Sequence, residues 1–225
     1  MIILLVAATA FELEPVLKSL SFKKKRNDNL NSYLFNNIQI DVLITGVGMV
    51  ATAFEMGKII SGKYDFALNV GIAGSFPGKF KIGEVIHVNQ DNFIELGAEN
   101  DEEFLSIFEM GLIKPDTFPF SKAKLINNLK TSNSAINNLK TATGITVNKV
   151  HGNAKSIEKI INLFNPETES MEGASFLFAC MSENLPCAQI RSISNIVEKR
   201  NRENWNIPLA IENLNKTALQ ILSSF

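Results

Sequence analysis

The sequence predicts an α/β fold, a three-layer sandwich in which helices flank a mixed, mostly parallel central β-sheet. Continuous aliphatic runs such as IILLVAA and DFALNVGIAGS alternate with segments whose apolar residues recur at helical spacing. Helices that alternate with aliphatic strands are typical of this fold class. Because no linker-like run of Pro, Gly or Ser divides the 225 residues, we expect residues 1–225 to form a single domain.

The first half of the chain alternates between strand and helix patterns. IILLVAA is predicted to be a buried strand, and FELEPVLKSL a helix that follows it. YLFNN and IQIDVLITG surround an Asn-Asn turn and predict a hairpin. MVATAFEMGKIISG is predicted to be a helix with a glycine stop, and DFALNVGIAGS a strand that runs into a glycine-rich turn.

The second half begins less regularly and then alternates again. KIGEVIHVNQDNFIEL is β-rich, residues 100–121 are predicted to be irregular, and AKLINNL is predicted to be a short helix. TATGITVNKV follows as a strand, SIEKIINLF as an amphipathic helix and SMEGASFLFACMSE as a buried helix. PCAQIRSISNIV is a predicted strand, and IPLAIENLNKTALQIL is predicted to close the chain as a helix.

Composition and spacing argue against several classes of partner. The 22 basic and 23 acidic residues nearly cancel. KKKRN at 23–27 lacks the interleaved aromatics of a nucleic-acid groove and is predicted to be a solvated loop. The opening MIILLVAA is too short to span a bilayer. Cys180 and Cys187, like His87 and His151, lack metal-ligand spacing. We therefore expect a cytoplasmic protein with no nucleic-acid or membrane partner, no metal and no cofactor.

Two glycine-rich turns follow predicted strands. TGVGMVA at 45–51 matches G-x-G-x-x-A, with Asp65 about 20 residues on, as in NAD-dependent oxidoreductases. Such a fingerprint usually follows the first strand of its unit, so close packing of a helix on the sheet is the alternative explanation. NVGIAGSF at 69–76 makes Gly74 and Ser75 candidates for ligand contact at the sheet edge, although a plain tight turn explains the motif equally well.

The stretch ETESMEGASFLFACM at 167–181 places Glu172 at the mouth of an apolar run. Burying a carboxylate without partners costs several kcal/mol or forces it to take up a proton. A first-turn Glu favoured by the helix dipole, with Ser170 as the N-cap, explains the residue type but not the apolar setting. The sequence therefore predicts that Glu172 has a functional partner.

Four motifs stand in an order typical of one superfamily: AATAFELEPVL, then TGVGMVATA with NVGIAGSF, then SMEGASFLFA, then RSISNIVEKRN. Together they resemble the nucleoside phosphorylase and nucleosidase superfamily over essentially the whole chain. The stretch RSISNIVEKRNRENWNIPLAIENLN is most similar to its futalosine hydrolase branch, which belongs to the alternative menaquinone pathway.

The resemblance implies a nucleoside phosphorylase-like fold, a homodimer or larger homo-oligomer, and a small-molecule nucleoside substrate. It implies hydrolysis of the N-glycosidic bond of futalosine, which releases hypoxanthine and dehypoxanthine futalosine. A nucleosidase for methylthioadenosine and S-adenosylhomocysteine and a purine nucleoside phosphorylase are the alternatives within the superfamily. An NAD-dependent oxidoreductase and a non-catalytic nucleoside-binding module are the alternatives outside it.

The resemblance also implies roles for individual residues. Glu12 matches the Glu that activates the attacking water, and it is preferred to Glu14 because Glu-Leu-x-x-Val fits the family pattern from that position. Glu172 matches the Glu that binds the ribose hydroxyls, and Met171 the residue that packs against the sugar. Asn195 stands where many adenine-specific nucleosidases carry Asp, and its amide suits the acceptors of a 6-oxopurine, unless it simply ends its strand.

Arginine is scarce in this chain, which has only Arg26, Arg191, Arg200 and Arg202. None is predicted to stand close to NVGIAGSF, so water is expected as the nucleophile rather than phosphate. Arg191 is expected to make a structural ion pair or backbone contacts. Arg200, Arg202 and Trp205 either belong to the pocket for the 5′ substituent or lie in a solvated segment before the last helix.

Overall fold

The computed structural model describes residues 1–60 and 62–225. Its strands are β1 (Ile2–Ala7), β2 (Ser21–Lys25), β3 (Leu30–Phe35), β4 (Ile38–Ile44), β5 (Phe66–Ser75), β6 (Val85–Asp91), β7 (Gly97–Asn100), β8 (Glu103–Ser106), β9 (Phe120–Ser121), β10 (Lys124–Ile126), β11 (Lys140–Thr146), β12 (Thr168–Ser170) and β13 (Cys187–Ile196). Its helices are α1 (Ala10–Ser19), α2 (Met49–Ile59), α3 (Ser134–Asn137), α4 (Ala154–Phe164), α5 (Gly173–Ser182) and α6 (Ile207–Ser223).

A mixed, mostly parallel sheet forms the centre of the molecule, as predicted. β1 pairs in parallel with β4 and β5, and β13 pairs in parallel with β5. β12 is antiparallel to β5 and parallel to β11, while β6 pairs with both β11 and β13. The sheet therefore closes into a ring through β5, β12, β11, β6 and β13, and it remains open through β1, β4, β3 and β2.

Helices cover both faces of the sheet, and successive residues of β1 pack into two buried clusters on opposite faces. Ile3 and Leu5 belong to one buried cluster, which includes residues of α1 and α6. Leu4 and Val6 belong to the other, which includes residues of α2 and α5. Successive strand residues point to opposite faces, so a strand buried on both sides reads as a continuous aliphatic run. This arrangement is the three-layer sandwich expected from the sequence.

Three local predictions were wrong, and pairing in the sheet explains each. Residues 124–126 of the predicted helix AKLINNL form β10, where Leu125 is fully buried opposite Asp91. The predicted helix at 170–183 begins only at Gly173, because β12 occupies its first position. Lys23–Lys25 lie in β2 rather than in a loop, and this exposed edge strand suits charged side chains.

Two further observations bear on the sequence predictions. The irregular region predicted at 100–121 contains β8 and the end of β7, which pair as a small hairpin. The predicted helix at 49–62 ends at Ile59, and Ser61 within that prediction lies outside the described residues. In the part of the chain that is described, no helix has both the length and the apolar character to cross a membrane.

Candidate active site

A cavity of about 340 Å³ opens at the carboxyl edge of the sheet, beyond the ends of β1, β5 and β13. Open α/β sheets bind their ligands at this edge. Most of the site residues predicted from the sequence line the cavity, namely Glu12, Gly74, Met171, Glu172 and Asn195. A larger cleft of about 630 Å³ lies between residues 104–124 and the end of α4. The smaller cavity is the candidate site because the carboxylates converge there.

Ser75 is the one predicted site residue that does not line the cavity. It is fully buried, its hydroxyl donates to the Phe76 carbonyl oxygen at 3.0 Å, and the hydroxyl oxygen accepts from the Phe80 N–H at 3.0 Å. These bonds fix the turn after β5. The structure therefore gives the Ser75 side chain a place in that turn and none on the cavity wall.

Glu12 is held in a fixed orientation on the first turn of α1. Its Oε2 accepts hydrogen bonds from Thr9 N at 3.0 Å and from Thr9 Oγ1 at 3.1 Å, forming a capping box. Its Oε1 accepts from Ile72 N at 3.2 Å, which ties it to β5. Glu14, by contrast, is exposed and pairs with Lys18 at 2.9 Å. Of these two residues, Glu12 lines the cavity and Glu14 does not.

Arg191 and Glu12 both lie beside Gly71. Arg191 is only 1% exposed, and its Nη2 donates to Asn69 Oδ1 at 2.6 Å. Its Nη1 and Glu12 Oε1 lie 3.0 and 3.1 Å from the position that a Cβ on Gly71 would occupy. The guanidinium of Arg191 and the carboxylate of Glu12 therefore border the same small space beside Gly71.

Arg191 makes a backbone contact, one of the two alternatives expected from the sequence: its Nη1 donates to the Ile190 carbonyl oxygen at 3.4 Å. Within residues 1–60 and 62–225 it forms no direct ion pair. The expectation that no arginine stands close to NVGIAGSF was wrong, because β13 pairs with β5 and sets Arg191 opposite Gly71. Only the strand order shows this proximity, since 120 residues of sequence separate the two motifs.

Glu172 is the N-cap of α5, and the backbone N–H of Gly48 donates to its Oε1 at 2.9 Å. Burial raises the pKa of this carboxyl, and the nearby charge of Glu12 raises it further. The Arg191 charge and the Gly48 hydrogen bond act in the opposite direction and favour the carboxylate. Glu172 is thus partly buried and has free acceptor capacity beside the cavity.

The bond to Glu172 also gives the TGVGMVA turn a role other than dinucleotide binding. Gly48 adopts φ +98, a conformation that favours glycine, and its N–H is occupied by a protein carboxylate. Asp65 precedes β5, whereas the turn follows β4, and both strands run parallel to β1. Asp65 therefore lies at the opposite edge of the sheet, where it accepts from Ile2 N at 2.7 Å. This geometry contradicts the oxidoreductase alternative.

Asn195 has a defined amide orientation at the end of β13. Its Nδ2 donates to the Ile196 carbonyl oxygen at 3.1 Å, and its Oδ1 accepts from Ser194 Oγ at 2.8 Å. A carbonyl oxygen can only accept, so the atom that faces it must be the NH2 group. The second N–H of this amide finds no acceptor among the described residues and remains available to a ligand.

A carboxylate that the sequence analysis did not single out also lines the cavity. Glu169 on β12 is 4% exposed, and its Oε1 accepts from His151 N at 2.9 Å. Its Oε2 contacts Nδ1 of the same histidine. The available signal was its position in the sequence, since Glu169 lies two residues before Met171 and all of residues 169–172 line the cavity. No sequence pattern indicated that His151, 18 residues upstream, would be its partner.

Arg200 and Trp205 line one end of the cavity. The Arg200 guanidinium lies over the Trp205 ring, with its central carbon 5.5 Å from the ring centroid. The Arg200 N–H also donates to the Gly152 carbonyl oxygen at 3.1 Å, which joins this loop to the loop after β11. Arg202 is not among the residues that line the cavity. Of the three candidates for the 5′-substituent pocket, Arg200 and Trp205 therefore line the cavity.

Across the described ranges, no group of three or more His, Cys, Asp or Glu side chains is arranged to hold a metal ion. Cys180 and Cys187 are buried free thiols in the core.

Comparison with known proteins gives consistent matches along the chain. A family model described as the phosphorylase superfamily matches residues 2–224. The chain is 25% identical to a futalosine hydrolase of Thermus thermophilus over 182 residues, which are 80% of each protein. It is 24% identical to a 5′-methylthioadenosine/S-adenosylhomocysteine nucleosidase of Buchnera aphidicola over 205 residues, 88% of this chain and 85% of that protein.

The fold is shared with solved structures. The structure of futalosine hydrolase of Helicobacter pylori superimposes with a TM-score of 0.81 at 19% identity, covering 100% of this chain and 98% of that one. At that identity the similarity establishes the fold, and it agrees with the central mixed sheet and flanking helices described above.

Proposed function

This chain belongs to the phosphorylase superfamily and is a nucleosidase, an N-glycosyl hydrolase, and we propose that its substrate is futalosine. The reaction would release hypoxanthine and dehypoxanthine futalosine, a step of the alternative menaquinone pathway. The observation that carries this choice is the orientation of Asn195, whose free N–H suits an acceptor on the base. Hypoxanthine offers O6 and N7 as acceptors, whereas adenine replaces O6 with an amino donor.

Hydrolysis of an N-glycosidic bond needs a water at one face of the sugar and charge stabilisation at both ends of the breaking bond. In the proposed mechanism Glu12 accepts a proton from the water as the water oxygen bonds to C1′. The C1′–N9 bond breaks, and its electron pair leaves with the base. Asn195 donates a hydrogen bond to the departing purine anion, which takes up its proton from solvent.

Glu172 would anchor the ribose in this scheme. The Gly48 N–H occupies one position on its Oε1 and leaves further lone pairs for two ribose hydroxyls. Such bonds strengthen as the sugar acquires positive charge, so they stabilise the transition state more than the ground state. Met171 on the same wall would supply an apolar surface for the sugar.

Water is favoured over phosphate as the nucleophile on electrostatic grounds. Arg191 provides a cation near Gly71, but Glu12 borders the same space and the charge of Glu172 also acts on this arginine. A phosphate dianion would face both carboxylates, and like charges at short range in a partly buried site repel strongly. A neutral water avoids that repulsion while it still benefits from the positive charge behind it.

The 5′ substituent of futalosine carries an aromatic ring and a carboxylate. Arg200 and Trp205 supply a cation and an aromatic surface at one end of the cavity. We propose that they bind this substituent, since a guanidinium pairs with a carboxylate and an indole ring packs against an aromatic ring.

A homodimer or larger homo-oligomer is proposed as the assembly. The side chains of Val50 and Phe54 on α2 are 77% and 65% exposed, and Val50 borders an apolar cleft that also includes Phe178 of α5. Large exposed apolar patches mark interaction surfaces. Val47, three residues before Val50, lines the nucleoside cavity, so a second copy seated on this cleft would lie beside the active site. Light scattering of the wild type and of Val50→Lys tests this, since the variant is expected to dissociate.

The test of function is base release in buffer free of phosphate, with futalosine, inosine and methylthioadenosine incubated in parallel. Hypoxanthine released from futalosine far faster than from inosine, with no adenine from methylthioadenosine, is the expected result. Rapid adenine release would assign the chain to the methylthioadenosine nucleosidases. Activity that appears only after phosphate is added would identify a phosphorylase.

A further inference from the structure

The mechanism proposed above leaves the buried pair of Glu169 and His151 without a role. The Glu169 carboxylate is almost completely removed from solvent, yet it lies on the cavity wall. Its side-chain contacts include no Lys or Arg within ion-pair distance among the described residues, and His151 is its hydrogen-bond partner. A carboxylate placed in this way is costly unless it is hydrogen-bonded, so its presence in a ligand cavity needs a reason.

The sheet register places Glu169 opposite Asn195 across one strand. Glu169 pairs with Gly74 in the β12–β5 ladder, and Asn195 pairs with Gly74 in the β13–β5 ladder. The β13–β5 ladder shifts register just before Asn195, but the Asn195 amide lies on the side of Gly74 to which a Cβ would point, with Nδ2 3.3 Å from that position. Two strand spacings separate the backbones of Glu169 and Asn195 by about 10 Å. The two side chains therefore border one space from opposite sides.

Gly74 lets Asn195 pack close to the backbone of β5. A Cβ at this position would come within 2.9 Å of Val197 Cγ2 and 3.3 Å of Asn195 Nδ2, so a larger residue would displace the amide. The cavity that a flat base could occupy lies between the amide of Asn195 and the carboxylate of Glu169. Both flanking residues and Gly74 line the same cavity.

The two flanking groups have complementary hydrogen-bonding character. Asn195 offers an N–H, as argued above, and an ionised Glu169 can only accept. His151 uses one lone pair on each carboxylate oxygen, and each oxygen keeps a second. A ligand that satisfies both sides must present an acceptor to Asn195 and a donor to Glu169. A 6-oxopurine has this pattern, with O6 and N7 as acceptors and N1–H as a donor. Adenine also has N7 as an acceptor, but its donor is the 6-amino group and its N1 carries a lone pair, so it offers no donor at the N1 position.

We propose that Glu169 selects the base by accepting a hydrogen bond from N1–H of a 6-oxopurine, and that His151 is the positioning residue that holds Glu169 for this contact. The proposal rests on the proposed nucleosidase function and deepens it. Adenine is rejected because its N1 lone pair faces a carboxylate that cannot donate, an unpaired and repulsive contact in a buried site.

The first test compares two substrates that share the 5′ substituent of futalosine and differ only in a 6-oxo or a 6-amino group. Glu169→Gln can present either an oxygen or an NH2 to the base. We expect its ratio of kcat/KM for the 6-oxo over the 6-amino substrate to fall at least about tenfold from the wild-type value. The matched control is Glu167→Gln, since Glu167 also accepts protein hydrogen bonds, from Thr143 N at 2.8 Å, and does not line the cavity. Its ratio should not change.

The second test measures binding of free bases by calorimetry and needs no turnover. Methylation of N1 removes the donor, so 1-methylhypoxanthine should bind the wild type at least about tenfold more weakly than hypoxanthine. In Glu169→Ala, which removes the acceptor and makes room for the methyl group, the two bases should bind within about twofold of each other. An equal preference for hypoxanthine in both proteins would overturn the proposal.

His151 is tested by a pair of substitutions. His151→Asn retains an N–H donor near the position of Nδ1 and should keep most of the 6-oxo preference, whereas His151→Ala removes it and should lower the preference toward that of Glu169→Gln. A mere loss of stability would alter both substrates equally and leave the ratio unchanged, which would contradict a positioning role.

The outcomes separate this proposal from the function on which it rests. A wild type that hydrolyses no nucleoside and binds neither base overturns both. An active wild type whose 6-oxo preference survives Glu169→Gln overturns the base-selection proposal alone and leaves the nucleosidase assignment intact.

Discussion

The backbone N–H of Gly48 donates a 2.9 Å hydrogen bond to the Glu172 carboxylate across a sequence separation of 124 residues. This contact joins the glycine-rich turn after β4 to the first turn of α5, two motifs that are unrelated when read along the chain. It gives a partly buried carboxylate one fixed partner and aims its remaining lone pairs at the cavity. Gly48 of the TGVGMVA turn is therefore part of the proposed ribose site.

Gly48→Ala is expected to weaken nucleoside binding. Gly48 adopts φ +98, and a Cβ there would meet nothing within 4 Å, so the substitution strains the backbone without a steric clash. We expect a loss of about 1–3 kcal/mol in the free energy of unfolding, because φ +98 with ψ 160 is a backbone region essentially restricted to glycine. We also expect a KM raised about tenfold through the weakened bond to Glu172. Gly111→Ala is the control, because Gly111 has φ +70 and open space but lies far along the chain from the site residues. It should lose stability and keep its KM.

Glu12→Gln should remove turnover and leave binding nearly intact. The amide cannot accept the proton of the attacking water, so we expect kcat to fall by about 10²–10⁴. Glutamine also fits a capping box, so α1 should still form on Thr9. Single-turnover hydrolysis and equilibrium binding of a non-hydrolysable nucleoside measure the two effects separately. Glu14→Gln, on the exposed side of the same helix, should behave like the wild type, and normal turnover in Glu12→Gln would move the role of the base elsewhere.

Gly71→Ala tests the arrangement of Glu12 and Arg191. The added Cβ would lie 3.0 Å from Arg191 Nη1 and 3.1 Å from Glu12 Oε1, so one or both groups must shift by a few tenths of an ångström. A displacement of this kind at a reacting centre can reduce kcat by up to about 10². Gly57→Ala inside α2, where a Cβ meets nothing within 4 Å, should instead add about 0.5–1 kcal/mol of stability and leave kcat unchanged. Equal kinetics in the two variants would show that Gly71 does not set the spacing.

The sequence was sufficient for the sheet and its two faces because the continuous aliphatic run of β1 and the helical spacing of α1 are local patterns. It was also sufficient to bring Glu12 and Glu172 to the cavity, since both belong to short motifs next to strand ends; their catalytic and ribose-binding roles stay predictions. Arg191 could not be placed from the sequence, since its position beside Gly71 depends on β13 pairing with β5. The same holds for Glu169, whose partner His151 arrives from a different loop.

The wrong prediction at 123–129 has a related cause. Leu125 and Ile126 satisfy helical spacing, but their backbones pair with Asp91 and Gln90 of β6. Intrinsic helix propensity differs by less than about 1 kcal/mol per residue for such side chains. The free energy gained by burying Leu125 on the sheet is larger than that difference. Tertiary contacts therefore determined the structure of this segment.

The burial of His87 predicts that the free energy of unfolding decreases at acid pH. Burial lowers the pKa of this imidazole to about 4 from 6.5, so the folded protein keeps it neutral while the unfolded chain takes up a proton. The stability that it contributes is fully present above pH 6.5 and is lost as the pH falls toward 4, by up to about 3 kcal/mol. His87→Leu should remove this dependence. Urea unfolding measures the free energy of unfolding of both proteins at pH 7.5 and at pH 4. Between these two pH values the wild type should lose more stability than His87→Leu. An equal loss in both proteins would contradict the role of His87.

Glu172→Gln should impair binding and rate together, because the carboxylate contacts the ribose in both the ground state and the transition state. Each charge-assisted hydrogen bond to a hydroxyl contributes about 1.5–3 kcal/mol, so kcat/KM should fall by at least about 10². The pH profile distinguishes this role from a structural one. Burial raises the pKa of Glu172, and the proposed ribose contact needs the ionised form. Wild-type kcat/KM should therefore decline as the pH falls through that raised pKa, at a higher pH than an ordinary glutamate would produce. The glutamine variant has no such group, so the decline should shift to lower pH or disappear from its profile. Unchanged kinetics in Glu172→Gln, or an identical acid limb in both proteins, would rule out the ribose assignment.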